Sequence, residues 1–339
     1  MFVQRLLFFV MIGLVTPCCS FAQTEPVQFA IPVDPQRQAA VQRCANWLHL
    51  HIERGQLEQD SETSDIAIVA WKDPTLAPHE PNLLAGYAIT DTLWAAKALP
   101  CFYPQDSVDL NDSLKRIGCI GNNLHEVLWS PLSQIHHRSA DIDSVHGESL
   151  GTFFARSGVR VNVRSFKMKF DPDFSLGHPI LFAEHAVYQS FFDFWNRNSV
   201  VAKDRIRGIF TSIAQPKDSP PQIYWNKSLG VLVDYVTKEQ FENFQSKKQT
   251  RCRQYAFKIA LILYAARFFC IEEEFGEEIS QMQQRLWAMQ LEHGGIAHFM
   301  DIDSSERVIA GLDATGEATA VSILATMAVP NRQNAKHGR

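Results

Sequence analysis

Three groups of residues have the types and spacing to carry chemistry. Tyr87, Asp91 and Trp94 fall at i, i+4 and i+7, so a helix would present them on one face. An aromatic and acidic face suits a sugar ring, which stacks on the indole while the carboxylate accepts hydroxyl protons. A packed core stripe with one capped acid explains the same spacing and is the favoured reading. Lys258 stands in an otherwise apolar run. An unpaired ammonium there is costly, so it must pair with a carboxylate, reach a pocket or shift its pKa, and a structural ion pair is slightly favoured. The third group is His298, Asp301, Asp303, Asp313 and Glu317. Two carboxylates can cleave a glycosidic bond when one protonates the leaving oxygen and the other activates water or attacks.

Other chemistries find less support. His125, His136, His137, His146 and Glu148 are potential metal ligands, but they lack H-E-x-x-H spacing and no tight Cys/His set accompanies them. Neither a metal nor any other cofactor is expected. No glycine-rich phosphate loop, G-x-S-x-G elbow or papain-like cysteine motif occurs.

Helices must position these residues. Pro35–Arg54 is amphipathic through Ala40, Val41, Cys44, Trp47, Leu48 and Ile52. Helical character recurs in Asn82–Leu99, Leu110–Trp129, Ile180–Trp195, Ser199–Ile213, Gly276–Leu291 and Glu317–Met327. Tyr255–Cys270 is apolar nearly all round and is expected to be enclosed by other helices. Ile66–Trp71 is short and β-branched, suiting a strand or an extended loop. Alternation at Val159, Val161 and Val163 predicts one extended or hairpin insertion within residues 130–180.

The chain has 339 residues, 46% of them hydrophobic, and a formal charge of −5. This excludes a disordered or disulfide-dense chain and argues against a nucleic-acid partner, which calls for a basic face. Met1–Ala22 has the pattern of an export signal: Arg5, the apolar run Leu6–Val15, then Ser20-Phe21-Ala22 before a cleavage point. The run is too short for a comfortable membrane span. Cleavage after Ala22 leaves Cys44, Cys101, Cys119, Cys252 and Cys270, an odd number, so one thiol is free or pairs between chains. A Cys101–Cys119 disulfide is one open pairing. No linker splits the chain, which implies one domain over residues 23–329 and a polar tail over 330–339.

The segment Leu286–Leu324 contains Trp287-Ala-Met-Gln290, then Gly294-Gly-Ile-Ala-His298, then Gly311-Leu-Asp-Ala-Thr-Gly-Glu317-Ala-Thr-Ala. With the preceding Arg253–Leu261 stretch it resembles the repeat unit of α/α-toroid proteins, a barrel of helical hairpins shared by six-hairpin glycosidases, polysaccharide lyases and terpenoid cyclases. The resemblance covers Tyr255–Leu324. It implies a mainly α fold, an α/α toroid with a small extended insertion, whose pocket lies at one end of the inner helices. His298, Asp301, Asp303, Asp313 and Glu317 would reach that end. Glu317 with Asp301 or Asp303 becomes the expected catalytic pair. Tyr87, Asp91, Trp94, Lys258, Trp287, His298 and Asp313 become expected substrate contacts. Glu317 capping its own helix while the aspartates shape a solvated loop is the favoured competing explanation.

The implied activity is that of an exported glycoside hydrolase or polysaccharide lyase with a polysaccharide or oligosaccharide partner. The alternative is a toroid that binds glycan or protein without catalysis. A terpenoid cyclase is less favoured, because Asp301-Ile302-Asp303-Ser304 departs from the Asp-x-Asp-Asp pattern.

Overall fold

The computed structural model describes residues 27–58, 65–71, 83–86, 88–117, 148–165, 182–195, 199–211, 223–303, 305, 307–311 and 313–330. The leader-like segment, the polar tail, Tyr87, Cys119 and most of the 130–180 stretch lie outside them.

The described chain is mainly helical. Helices α1 (Pro35–Leu50), α2 (Ala88–Ala98), α3 (Pro104–Arg116), α4 (Ala183–Trp195) and α5 (Ser199–Thr211) occupy its first two thirds. Then follow α6 (Tyr235–Gln245), α7 (Ala256–Phe268), α8 (Gly276–Trp287) and α9 (Gly316–Met327). Helices α2, α9, α7 and α4 pack side by side in that order. Each has a second helix behind it: α3 on α2, α1 on α9, α8 on α7 and α5 on α4. The composition of the inner row explains its place. Nearly every residue of α7 and α9 is buried, and small residues such as Ala318, Thr319, Ala320 and Ser322 let the two approach closely. Amphipathic α8 buries Ile279, Met282 and Leu286 and leaves its other face to solvent.

Helix ends follow local chemistry. Asp34 caps α1, its carboxylate accepting from the Gln36 N–H at 3.2 Å, with Pro35 in the first turn. Thr315 caps α9 by accepting from Ala318 N–H at 3.2 Å. Asp234 caps α6 reciprocally with Thr237. The α4–α5 hairpin is clasped by a buried ion pair, Arg205 Nη2 standing 2.9 Å from Asp193 Oδ2.

Strands are more widespread than the single insertion expected. The hairpin β5 (Glu148–Ala155) and β6 (Arg160–Ser165) is present, but it belongs to a five-stranded sheet ordered β3-β2-β5-β6-β4. Strands β2 (Ile52–Leu57), β3 (Ile66–Val69) and β4 (Leu83–Gly86) supply the rest. Two of these replace expected helix: α1 stops at Leu50, and Leu83–Gly86 is extended before α2 begins. Ile52–Leu57 gains its extended form by pairing with β3 on one side and β5 on the other. A second sheet orders β11 (Val308–Ala310), β10 (Phe299–Asp303) and β9 (Arg251–Tyr255). Strands β7 (Tyr224–Asn226) and β8 (Val231–Val233) form a hairpin. The first and last described segments, β1 (Val27–Phe29) and β12 (Ala328–Pro330), pair antiparallel.

The Gly294-Gly295 turn packs against α1. Gly294 has φ +102°, and a Cβ there would lie 2.4 Å from the Arg43 carbonyl oxygen. Gly295 is needed for a different reason: its Cβ would meet Trp47 and Ala314. Gly316 is likewise a close-approach glycine, pressed against Asp91 and Val69, and not a positive-φ one. Gly294→Ala should destabilise the protein by about 1–3 kcal/mol, because both backbone strain and a backbone clash oppose it. Thermal unfolding followed by circular dichroism measures this, and an unchanged midpoint would refute the packing described.

Candidate functional site

Each inner helix places an ionisable residue in its first turn, and these residues meet. Asp91 is the fourth residue of α2, Glu184 the second of α4, Lys258 the third of α7 and Glu317 the second of α9. The four N-termini therefore point to one end of the row.

Asp91 is buried and fully engaged. Its Oδ1 accepts from the Glu317 backbone N–H and its Oδ2 from the Trp71 indole N–H, each at 2.5 Å. It thereby satisfies an otherwise orphan donor at the start of α9, and Gly316 makes the approach possible. Burial raises its pKa to about 7, against the lowering effect of the Trp71 and Glu317 hydrogen bonds.

Glu317 is a neighbouring acid in a poorly solvated setting. Its pKa stands well above the ordinary carboxyl value, first from burial, then from the fields of Asp91 and Glu184. The Tyr188 hydroxyl lies near enough to favour its ionised form. The Trp94 indole N–H also lies near enough to favour the ionised form, although among the described residues it closes no aligned hydrogen bond. Burial and the neighbouring acids therefore favour the protonated form of Glu317.

Lys258 joins this acid pair to a third and fourth carboxylate. Its Nζ is 2.5 Å from Asp234 Oδ2 and 3.3 Å from Glu184 Oε2. Asp234 is wholly buried, so one residue both caps α6 and neutralises the ammonium. Burial pulls the Lys258 pKa down, but Glu184 and Asp234 outweigh it and the ammonium stays charged. Glu184 is the more open acid, its side chain 28% exposed, and its pKa is raised by burial against the pull of Lys258. Tyr255 and Phe182 flank the ammonium, their ring centroids 5.5 and 5.8 Å away.

Aromatic rings fill the space deeper in the row. Trp94 meets Tyr264 edge-on at 6.2 Å, and Tyr264 packs on Phe191, with centroids 5.8 Å apart. Phe191 continues to Phe268 at 4.8 Å. This floor closes the inner side of the carboxylate cluster.

The sequence-expected residues divide accordingly. Glu317, Asp91, Trp94 and Lys258 come together. Asp301 and Asp303 do not join Glu317 as its partners, which corrects the expected pairing. Asp301 is locked in the β9–β10 sheet by Arg253, whose Nε and Nη2 bind its two oxygens at 2.9 and 3.2 Å. Asp303 caps the β10–β11 turn, accepting from the Ser305 hydroxyl at 2.6 Å and from Ser305 N–H and Arg307 N–H, both at 2.9 Å, and its pKa is lowered first by the Ser305 hydroxyl and then by the backbone donors. His298 and Asp313 are exposed, and the bond that joins them runs along the backbone, from His298 N–H to the Asp313 carbonyl at 2.8 Å. Trp287 ends α8, half-buried against the core. Tyr87 lies outside the described residues.

Four members were not singled out from sequence: Trp71, Glu184, Tyr188 and Asp234. Glu184 and Tyr188 share the i, i+4 spacing that drew attention to Tyr87 and Asp91. Asp234 sits three residues before Thr237, an available helix-start signal.

No metal-binding group of three or more His, Cys, Asp or Glu is present among the described residues. None of their helices is long and apolar enough to cross a membrane. Of the described cysteines, Cys44, Cys101, Cys252 and Cys270 form no disulfide. Burial pushes Cys44 up to about 12, which makes it inert as a nucleophile in neutral solution.

The Asp91 environment predicts a titration. Because its folded pKa exceeds the unfolded value, the unfolded chain releases its proton first as pH rises. Its contribution to stability is full below about pH 4, declines toward about pH 7 and is flat beyond. Trp71 fluorescence should report the same ionisation near neutrality. A signal that persists unchanged in Asp91→Asn would rule out this assignment.

No family model, curated protein or solved structure matches the chain.

Proposed function

We propose that the protein is an exported carbohydrate-active enzyme, a glycoside hydrolase or polysaccharide lyase, working from the N-terminal end of its inner helices. One observation carries the reading: the first turns of four adjacent helices deliver three acids and a single ammonium to one place. Glu317, whose protonated form is favoured by burial and by the fields of Asp91 and Glu184, is suited to give a proton to a leaving glycosidic oxygen. Glu184, paired with Lys258, is suited to accept one. Both oxygens of Asp91 are occupied, which makes it a positioning residue for α9 and Glu317.

Two further features support this reading. The row α2–α9–α7–α4, each helix backed by another, is the arrangement an α/α toroid would contain, and closure of that row into a ring is part of the proposal. The leader-like Met1–Ala22 segment agrees with an extracytoplasmic polymer as substrate. Loop aspartates were the obvious acids in the sequence, but the helix-borne acids replace them in the proposed mechanism.

Screening the purified protein against polysaccharides tests the proposal, with reducing-end release and unsaturated products as readouts. Turnover of at least one polymer is expected. Binding without turnover across the panel would favour a glycan-binding protein and overturn the enzymatic reading.

A further inference from the structure

We infer that the cleft between the five-stranded sheet and α3 binds a tetrahedral oxyanion, a phosphate or sulfate group carried either as the free ion or as an ester. Among the described residues, its lining shares none with the acid cluster, so this site stands independently of the proposed reaction.

Three elements bring guanidinium groups to this cleft, whose volume is about 190 Å³. Arg54 comes from β2, Arg116 from the last turn of α3 and Arg156 from the turn after β5. Backbone pairing sets two of them side by side, since Arg156 N–H donates to the Arg54 carbonyl at 2.7 Å. Asp65 draws in the third. Its carboxylate pairs with Arg156, and its carbonyl accepts from Arg116 Nη1 at 2.7 Å.

Like charges held this closely oppose folding unless they are compensated. Compensation within the lining is partial. Asp109 Oδ2 lies 2.6 Å from Arg54 Nη1, and Asp65 serves Arg156. Three guanidiniums therefore face two carboxylates, leaving one positive charge in excess. Asp106 reaches Arg54 Nη2 at 3.3 Å from outside the lining, where it is shared with His49.

The walls are fixed. Buried Ser113 donates its hydroxyl to the Asp109 carbonyl and accepts from Ala67 N–H, each at 2.7 Å, which ties α3 to β3. Asp109 stays ionised: burial pushes its pKa up, but Gln105, Arg54 and Arg116 outweigh burial and lower it. A guanidinium carries five N–H donors, and the bonds above use one or two on each arginine.

Ligand shape follows from this layout. A planar carboxylate offers two oxygens in one plane and is matched by a single fork. A tetrahedral oxyanion offers three or four oxygens in different directions, which suits forks arriving from three elements. Arginine recognises phosphate through this fork geometry. Asp65 and Asp109 orient the forks without cancelling the charge of the cleft.

Calorimetric titration of the purified full chain tests the inference. The titrants are sodium phosphate, sodium sulfate and glucose 6-phosphate, with sodium chloride and glucose as controls at matched ionic strength. Saturable binding of one oxyanion per chain is expected, and neither control should reproduce it. Arg116→Gln, which keeps a donor for the Asp65 carbonyl, should weaken binding by about tenfold or more, and so should Arg156→Gln. Lys115→Gln removes the same charge from the exposed side of α3 and should change affinity by less than about twofold. Circular dichroism confirms that each variant is folded. Tighter binding of the inorganic ions would assign the site to the free anion, and tighter binding of the ester to a phosphorylated or sulfated molecule; each supports the inference. Heats no different from chloride would overturn it. So would affinity unchanged in both arginine variants, or a loss in Lys115→Gln equal to theirs. None of these outcomes bears on the polysaccharide screen.

Discussion

Replacing Glu317 with Gln should lower polysaccharide turnover by about 100- to 10,000-fold, because the amide cannot deliver a proton to the leaving oxygen. The same substitution should make the fold more tolerant of alkaline pH. Glu317 has a folded pKa raised well above its unfolded value by burial and by Asp91 and Glu184. As pH rises past the unfolded value, the unfolded chain loses a proton that the folded chain retains, and stability falls until the folded pKa is reached. Gln has no such proton, so the variant should lose that part of the slope. Melting temperatures from about pH 5 to pH 9, measured beside initial rates, separate the two effects. Unchanged activity with a folded protein would dismiss Glu317 as the donor. Activity lost together with the fold would assign it a structural role.

Lys258→Met should produce the largest loss of stability, about 3–5 kcal/mol in urea unfolding. The substitution preserves the apolar stem but leaves the wholly buried Asp234 carboxylate without its countercharge. Glu184 is partly open and can take up a proton, so most of the penalty falls on Asp234. The double variant Lys258→Met/Asp234→Asn should recover much of the loss, since it removes both charges and Asn still caps a helix. If the double variant is no more stable than the single one, the ion pair does not explain the effect. A loss below about 1 kcal/mol would place Lys258 in water, contrary to the structure.

Apolar and small-residue composition located the inner helices because their burial requires an apolar surface. Tyr255–Cys270 contains α7, and Glu317–Met327 contains α9 almost residue for residue. Charge placed Lys258 correctly as a group in need of carboxylates: it is paired with Asp234 and Glu184. The identity of its partners was not legible. Glu184 and Asp234 are 74 and 24 positions away, and only the packing of α4 and α6 brings them to α7.

The strand content was partly concealed for a related reason. Leu83–Gly86 has no alternating pattern and gains its conformation by pairing with β6, far along the chain. The loop aspartates misled because acidity was weighed without competing partners. Arg253 and the Ser305–Arg307 turn satisfy Asp301 and Asp303, whereas Glu317 stands buried among other acids whose fields crowd it. Chemical availability depends on what remains unsatisfied after folding.

The pairing of β1 with β12 has a kinetic consequence. Val27 opposes Pro330 and Phe29 opposes Ala328, with Ala30 N–H donating to Met327 O at 2.9 Å. These contacts span nearly the whole described chain, so their loop-closure entropy is large and they should form late. During synthesis the helices can assemble in order, but this clasp must wait until α9 has emerged. The same proximity makes the fold suitable for circular permutation. Joining the two ends with a short flexible linker and opening the chain in an exposed turn would convert its slowest long-range closure into a local one, and refolding should accelerate.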